Sequence, residues 1–101
     1  MVIREWRGRA RRSQANAYPR HFRERVLSGL RQVPGFIGAQ LARRDLDGEV
    51  EFLVLTQWQS METIRAFAGM EVDKAVVEPG AAAALVEFDE RVRHYEVIET
   101  V

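Results

Sequence analysis

Cysteine is absent from the chain, which removes disulfides, thiol nucleophiles and thiolate metal sites together. Histidine is scarce. His21 and His94 are the only two, and neither has a second ligand at helical i, i+4 spacing, so no metal site is expected. No apolar run nears the roughly 20 residues that cross a bilayer. Arg4, Glu5, Arg7, Arg9, Arg11 and Arg12 interrupt the segment where a secretory signal would be apolar. A cytoplasmic protein with no membrane partner is the expectation. Glycine-rich phosphate cradles, nucleophile elbows and paired carboxylates at catalytic spacing are missing as well.

What is present is an ordinary globular composition: 101 residues, 47% of them hydrophobic. That length suits a single domain over residues 1–101, small enough to gain from dimerisation. The formal charge is zero but uneven. Residues 1–25 carry eight arginines against Glu5 and Glu24, and the remainder carries seven basic and thirteen acidic residues. Such polarity suits an anionic ligand or complementary subunit docking, or simply a basic strand and helix beside acidic neighbours.

Period-two patterning marks the strands. Residues 2–12, "VIREWRGRARR", place Val2, Arg4, Trp6, Gly8 and Ala10 in one phase. Gly8 is a position for a bulge or for a close approach by ligand or backbone. Residues 36–44 and 49–58 form two more strands, joined at Asp47-Gly48 by what reads as a type I′ turn with both residues at positive φ. The second of these strands is apolar in both phases, Phe52 and Val54 against Leu53 and Leu55, which implies a sheet covered on both faces. The last strand, "RVRHYEVIE", sends His94 and Tyr95 to opposite sides.

Period-3.6 patterning marks the helices. Tyr18, Phe22, Val26, Leu27, Leu30 and Val33 form one amphipathic stripe, with Asn16 as N-cap and Pro19 in the first turn. Ser60 caps a second helix whose buried stripe is Met61, Ile64, Phe67 and Ala68, with Gly69 at its end. "EVDKAVVE" reads as a helical turn with Val72, Ala75 and Val76 inward, and "AAAALVEF" as a turn before the last strand. The order βαββαβ, with both main helices on one face, is an α+β fold of the ferredoxin-like, antiparallel type. A second copy covering the other face would make it a homodimer through sheet faces, a dimeric α+β barrel. An RNA-recognition motif shares the order but needs stacking aromatics on its central strands. "EVEFLVLTQW" is acidic at its start and aliphatic at its centre, so no nucleic-acid partner is expected.

With Tyr18, "PGFIGAQL", "EFLVLTQWQSMETIRAFAG", Ala75-Val76 and the closing "HYEV" in this order, the chain resembles the antibiotic biosynthesis monooxygenase-like family. The resemblance runs from Ile3 to Ile98. It implies small homodimers with a pocket between sheet and helices, some of which oxidise aromatic substrates with molecular oxygen and neither metal nor flavin. A related branch degrades haem through a histidine in the second-helix region. Residues 59–88 hold no histidine, so no cofactor is expected here.

The resemblance makes this chain a cofactor-independent monooxygenase for a small phenolic or quinone-like aromatic metabolite; the alternative is a non-catalytic, ligand-binding or sensing dimer. His94 and Trp58 are the candidate catalytic residues. His94 suits proton abstraction from a phenol, or else is a hydrogen-bonded structural histidine near Glu96; Asp89 either orients His94 or marks the turn. Trp58 offers its indole N–H to a substrate oxygen, or else closes the core at the strand–helix corner. Trp6, Arg4, Tyr18, Phe22 and Phe67 are the candidate substrate-binding residues, with core packing the competing role for the aromatic ones.

Overall fold

A computed structural model describes residues 1–101. Strand β1 is Val2–Arg11, β2 Phe36–Asp45, β3 Glu49–Trp58, β4 Glu87–Phe88 and β5 Arg93–Glu96. A long first helix occupies residues 17–30, a second helix Met61–Ala68 and a short third helix Pro79–Ala84. The sheet runs β2-β3-β1-β4 with β5 also on β1, and every pairing is antiparallel. This is the ferredoxin-like α+β topology expected from the order of elements. No helix is long and apolar enough to cross a membrane.

β3 shows why the sheet has two different faces. Val50, Phe52, Val54, Thr56 and Trp58 are buried under the helices, while Leu53 and Leu55 are half-buried on the opposite side. β1 repeats the pattern in register, with Val2, Arg4, Gly8 and Ala10 buried beneath the helices. β1 has no bulge at Gly8, whose pairing with Phe52 is regular. The close approach there comes from Leu85, whose Cδ1 would lie 2.9 Å from an added Cβ. Buried apolar residues gather in two groups, one around Tyr18, Phe22 and Phe52 and another around Leu30, Trp58 and Ile64.

The second helix is capped as its sequence indicates. Ser60 accepts from the Thr63 N–H at 3.3 Å, and the Thr63 hydroxyl accepts from the Ser60 N–H, closing a reciprocal box. The first helix begins differently. A 3₁₀ turn over Arg12–Gln14 leads into it, and Asn16 makes no side-chain cap because its own backbone is already helical. Pro19 lies in the first turn, where its missing N–H costs nothing. Phe22–Val26 then form a wide π turn, an irregularity often found beside functional sites.

Three further expectations are corrected. Only Gly48 of the β2–β3 connection has positive φ, +72°, so the turn is not type I′. β2 runs on to Asp45, and the longer connection closes with Leu46 N–H donating to Glu49 O at 2.9 Å, which needs one left-handed residue. Residues 71–74 make one turn, closed by Lys74 N–H donating to Glu71 O at 3.0 Å, but residues 75–78 are not helical and Val76 is exposed. Their backbone is tied to the chain before β5, with Ala75 N–H donating to Glu90 O and Val92 N–H to Asp73 O. The run 81–88, expected as a helical turn, ends in strand β4 at Glu87–Phe88, and a break separates it from the last strand, which is shortened to Arg93–Glu96. At the break, the Asp89 carboxylate accepts from the Arg7 N–H at 3.1 Å, doing locally what a neighbouring strand would do.

Candidate functional site

Between the two packed groups lies a cavity of about 260 Å³, and twelve of its seventeen lining residues are hydrophobic. An apolar cavity of about 150 Å³ accepts benzene, so this one has room for one or two fused rings. β1 contributes Arg4 and Trp6, β3 contributes Val54, Thr56 and Trp58, and the first helix contributes Tyr18, His21 and Leu30. Phe67 of the second helix and Glu78 and Ala81, at and after the start of the third, complete the wall.

Arg4 dominates its electrostatics. The residue is only 6% exposed, yet no carboxylate lies within ion-pair distance of it. Its Nη1 donates to Val72 O at 2.8 Å and to His94 Nε2 at 2.9 Å, and its Nη2 donates to Lys74 O at 3.0 Å. The single turn over residues 71–74 brings both carbonyls to the guanidinium. Arginine carries five N–H donors, so two remain without a protein acceptor. Burial lowers the Arg4 pKa from its ordinary value, opposed by the distant charge of Asp73; the guanidinium still stays charged. Its Cζ sits 5.9 Å from the Phe67 ring centroid, within cation–π range. The result is a buried cation, fixed by neutral acceptors and facing an apolar space.

His94 lies behind Arg4 and does not line the cavity. Arginine can only donate, so Nε2 of His94 must be the unprotonated nitrogen. The proton therefore resides on Nδ1, which points at the Asp73 carboxylate 3.2 Å away. Burial pushes the His94 pKa down, and the Arg4 charge adds to this, while Asp73 works in the opposite direction. Both nitrogens are occupied, and the side chain is about 10% exposed. The ring thus acts as a brace that orients Arg4. Its carboxylate partner is Asp73, and Asp89 instead holds the break between β4 and β5.

The tryptophans also differ from the expectation of a free indole donor. Trp58 is fully buried and donates its Nε1–H to Thr56 Oγ1 at 2.9 Å; Trp6 donates to Asp89 O at 2.9 Å. Both therefore offer ring faces, not N–H groups. Trp58 meets Phe36 edge to face and Phe67 at a 33° tilt, with centroids 5.5 and 5.1 Å away. Trp6 packs 5.6 Å from Tyr18. Phe22 lies beside Tyr18 in the core and outside the cavity lining, because its ring turns toward the sheet cluster. Burial, with the Glu78 charge, raises the Tyr18 pKa, so its hydroxyl stays protonated as a hydrogen-bond donor.

His21 enters the site without having been singled out. Its Nε2 is completely shielded from solvent and has no hydrogen-bond partner, although the residue lines the cavity. The available signal was positional: His21 follows Tyr18 by three residues, and such a pair shares one helix face.

These features define the class: a ferredoxin-like domain whose sheet and helices enclose an aromatic-walled cavity with one buried cation. The chain belongs to the antibiotic biosynthesis monooxygenase family, which it matches over residues 1–79. Solved structures share the fold. A Deinococcus radiodurans protein assigned as an antibiotic biosynthesis monooxygenase is 19% identical over 100% of this chain and 96% of its own, with a TM-score of 0.64. The haem degrader MhuD of Mycobacterium tuberculosis, with two haems bound in its active site, is 23% identical over 98% of each chain, with a TM-score of 0.63. SnoaB, a cofactor-independent oxygenase of Streptomyces nogalater, is 22% identical over 99% of this chain and 95% of its own, also at 0.63. No curated protein matches the sequence.

Proposed function

We propose that this family member is a cofactor-independent monooxygenase for a small hydroxylated arene, one or two rings in size. The observation that carries the reading is Arg4: a buried cation without a carboxylate, facing a cavity otherwise walled by aromatic and aliphatic groups. An oxyanion is the complement that such a site lacks. A phenolate can pass an electron to oxygen where a neutral phenol does so poorly, and a fixed positive charge favours the phenolate. In the overall reaction the hydroxyarene and O₂ give a quinone and water. One oxygen atom enters the ring as C–H and O–H bonds are lost, the other leaves as water, and the substrate supplies all the electrons.

The residues do not suit haem. Residues 59–88 offer no histidine to hold haem iron, and a cavity of about 260 Å³ is closer in size to one or two fused rings than to a macrocycle of four pyrroles. No three histidine, aspartate or glutamate side chains gather to hold a metal ion.

A second copy of the chain completes this reading. On the sheet face away from the helices, Ile37 is 50% and Tyr95 49% exposed beside half-buried Ile3, Leu53 and Leu55. These apolar groups, set among the paired charges of Glu5, Arg7, Glu51 and Arg93 on the same face, fit a homodimer through the sheets. Leu53→Arg should convert a dimer to monomer in sedimentation velocity; a wild-type monomer at micromolar concentration would refute it.

One observation favours a non-catalytic binding domain: both indole N–H groups and both His94 nitrogens are already engaged by the protein. Oxygen uptake separates the two. With 2-naphthol or a monocyclic hydroquinone, the oxygenase consumes one O₂ per quinone formed, unchanged by chelator and diminished in Arg4→Met. Thermal stabilisation by these ligands without oxygen uptake would establish the binding domain instead.

A further inference from the structure

Deepening the oxygenase reading on which it rests, we infer that the cavity selects a hydroxyarene with two oxygens on adjacent ring carbons, an ortho-diol. The open edge of the Arg4 guanidinium takes both oxygens together.

A guanidinium has five N–H groups arranged as a planar fork. In Arg4, Nη1 is engaged by Val72 O and His94 Nε2, and Nη2 gives one N–H to Lys74 O. Nε–H and the second N–H of Nη2 remain, neighbours on the fork. Neither is sealed off. His21 Nε2 is the only side-chain nitrogen or oxygen that is both shielded and without a partner. Arg4 Nε has no partner in the chain either, so it is open to a molecule the size of water. Arg4 is 6% exposed and lines the cavity, and that small opening is where a ligand meets it.

Three anchors fix the plane of the fork. The turn over residues 71–74 supplies two carbonyls and β5 supplies His94, so the guanidinium cannot rotate to offer one N–H alone. Two donors held side by side select for two acceptors. A single phenolate oxygen reaches both only at bent angles, where hydrogen bonds weaken. Oxygens on adjacent carbons meet one donor each. The other polar residues of the wall are Tyr18, His21, Thr56 and Glu78, and none of them is a fixed pair of donors.

A carboxylate also fits a fork. It would neutralise Arg4 without activating the ring, whereas an ortho-diol puts the charge on a ring oxygen, where the oxygenase reading needs it. On binding, one O–H bond breaks, its electron pair stays on oxygen and the proton leaves to solvent. The second O–H remains, and its oxygen still accepts from the fork.

The test is calorimetric binding under nitrogen at pH 7.5 with chelator present. The probes are 2,3-dihydroxynaphthalene, 2,7-dihydroxynaphthalene, 2-naphthol and 2-naphthoate. Wild type should hold the 2,3-diol about tenfold more tightly than the 2,7-diol or 2-naphthol, the size of one charge-assisted hydrogen bond. Arg4→Lys keeps the charge without the fork, so the preference between the two diols should fall below about threefold. Equal affinity of wild type for the two diols overturns the inference, as does binding of none of the probes. So does a preference unchanged in Arg4→Lys that melts as a folded protein; where that variant does not fold, the wild-type comparison decides. Tighter binding of 2-naphthoate than of the 2,3-diol overturns it in favour of a carboxylate ligand. A 2,3-diol preference without oxygen uptake once air is admitted would support the fork and defeat the oxygenase reading alone.

Discussion

Replacing Arg4 with methionine should move the ionisation of a bound phenol by about 3 pH units. Two unit charges about 4 Å apart interact by about 4 kcal/mol at the effective dielectric suited to protein sites. At 1.36 kcal/mol per pKa unit, that is about 3 units. The same cavity also opposes ionisation, since burial raises the pKa of Tyr18. The absolute value for a bound phenol is therefore a contest between desolvation and Arg4. The difference between wild type and Arg4→Met cancels most of the desolvation and isolates the charge. 4-Nitrophenol serves as the probe because its anion absorbs in the visible. Titrating the bound ligand should place its pKa about 3 units higher in Arg4→Met, with Arg4→Lys closer to wild type. The substitution also leaves Val72 O, Lys74 O and His94 Nε2 without their donor, each worth about 1–3 kcal/mol. Removing a desolvated cation offsets part of that loss, so a folded variant is expected and its melting point is the control. Bound pKa values agreeing within about half a unit in folded wild type and Arg4→Met would refute the role given to Arg4.

His94 makes stability depend on pH in a defined direction. Its folded pKa is depressed below 6.5 by burial and then by Arg4, so below that pH the unfolded chain binds more protons. Stability should fall as pH drops from 6.5 toward the native value, with a slope of at most about 1.4 kcal/mol per pH unit. His94→Gln should flatten melting temperatures between pH 7.5 and 5.5, and an unchanged slope would remove His94 as the cause. Gly35 and Gly48 separate backbone strain from collision. Both have positive φ, but a Cβ at Gly35 would lie 2.3 Å from Thr63 Cγ2, while at Gly48 it meets open space. Gly48→Ala should cost about 1–2 kcal/mol in urea denaturation, and Gly35→Ala a further 1–3 kcal/mol from overpacking. Equal losses would show that Thr63 yields freely.

The parts of the fold that were legible in the sequence are those set by neighbours a few residues away. The alternation of Val50, Phe52, Val54, Thr56 and Trp58 follows from the pleat, and Ser60 with Thr63 closes a cap within one turn. Residues 71–78 escaped because their partners are remote. The run has apolar spacing that a helix would accept, but Arg4 draws the carbonyls of Val72 and Lys74 from about seventy residues away in sequence. A buried guanidinium needs acceptors, and a turn that does not continue into a helix can supply carbonyls that a helix would keep for itself. The break at Asp89 has the same character, since its carboxylate answers an N–H of Arg7 on another strand.

The two histidines show where periodicity stops being informative. Strand alternation sends His94 and Tyr95 to opposite faces without saying which, and the structure puts His94 on the helix side beside Arg4 and Tyr95 on the other side beside Ile3. Alternation assigns a face but not what a side chain meets on that face. There His94 meets a cation on one nitrogen and a carboxylate on the other, and its capacity to exchange protons with a ligand is spent on holding Arg4. His21 differs in kind: it shares a helix face with Tyr18 and packs against Gly80, and its Nε2 is shielded without meeting any partner. A helical period that puts a ring on one face says nothing about which of its nitrogens is claimed, shielded or open, because that is decided by β1 and the third helix, elements remote in sequence.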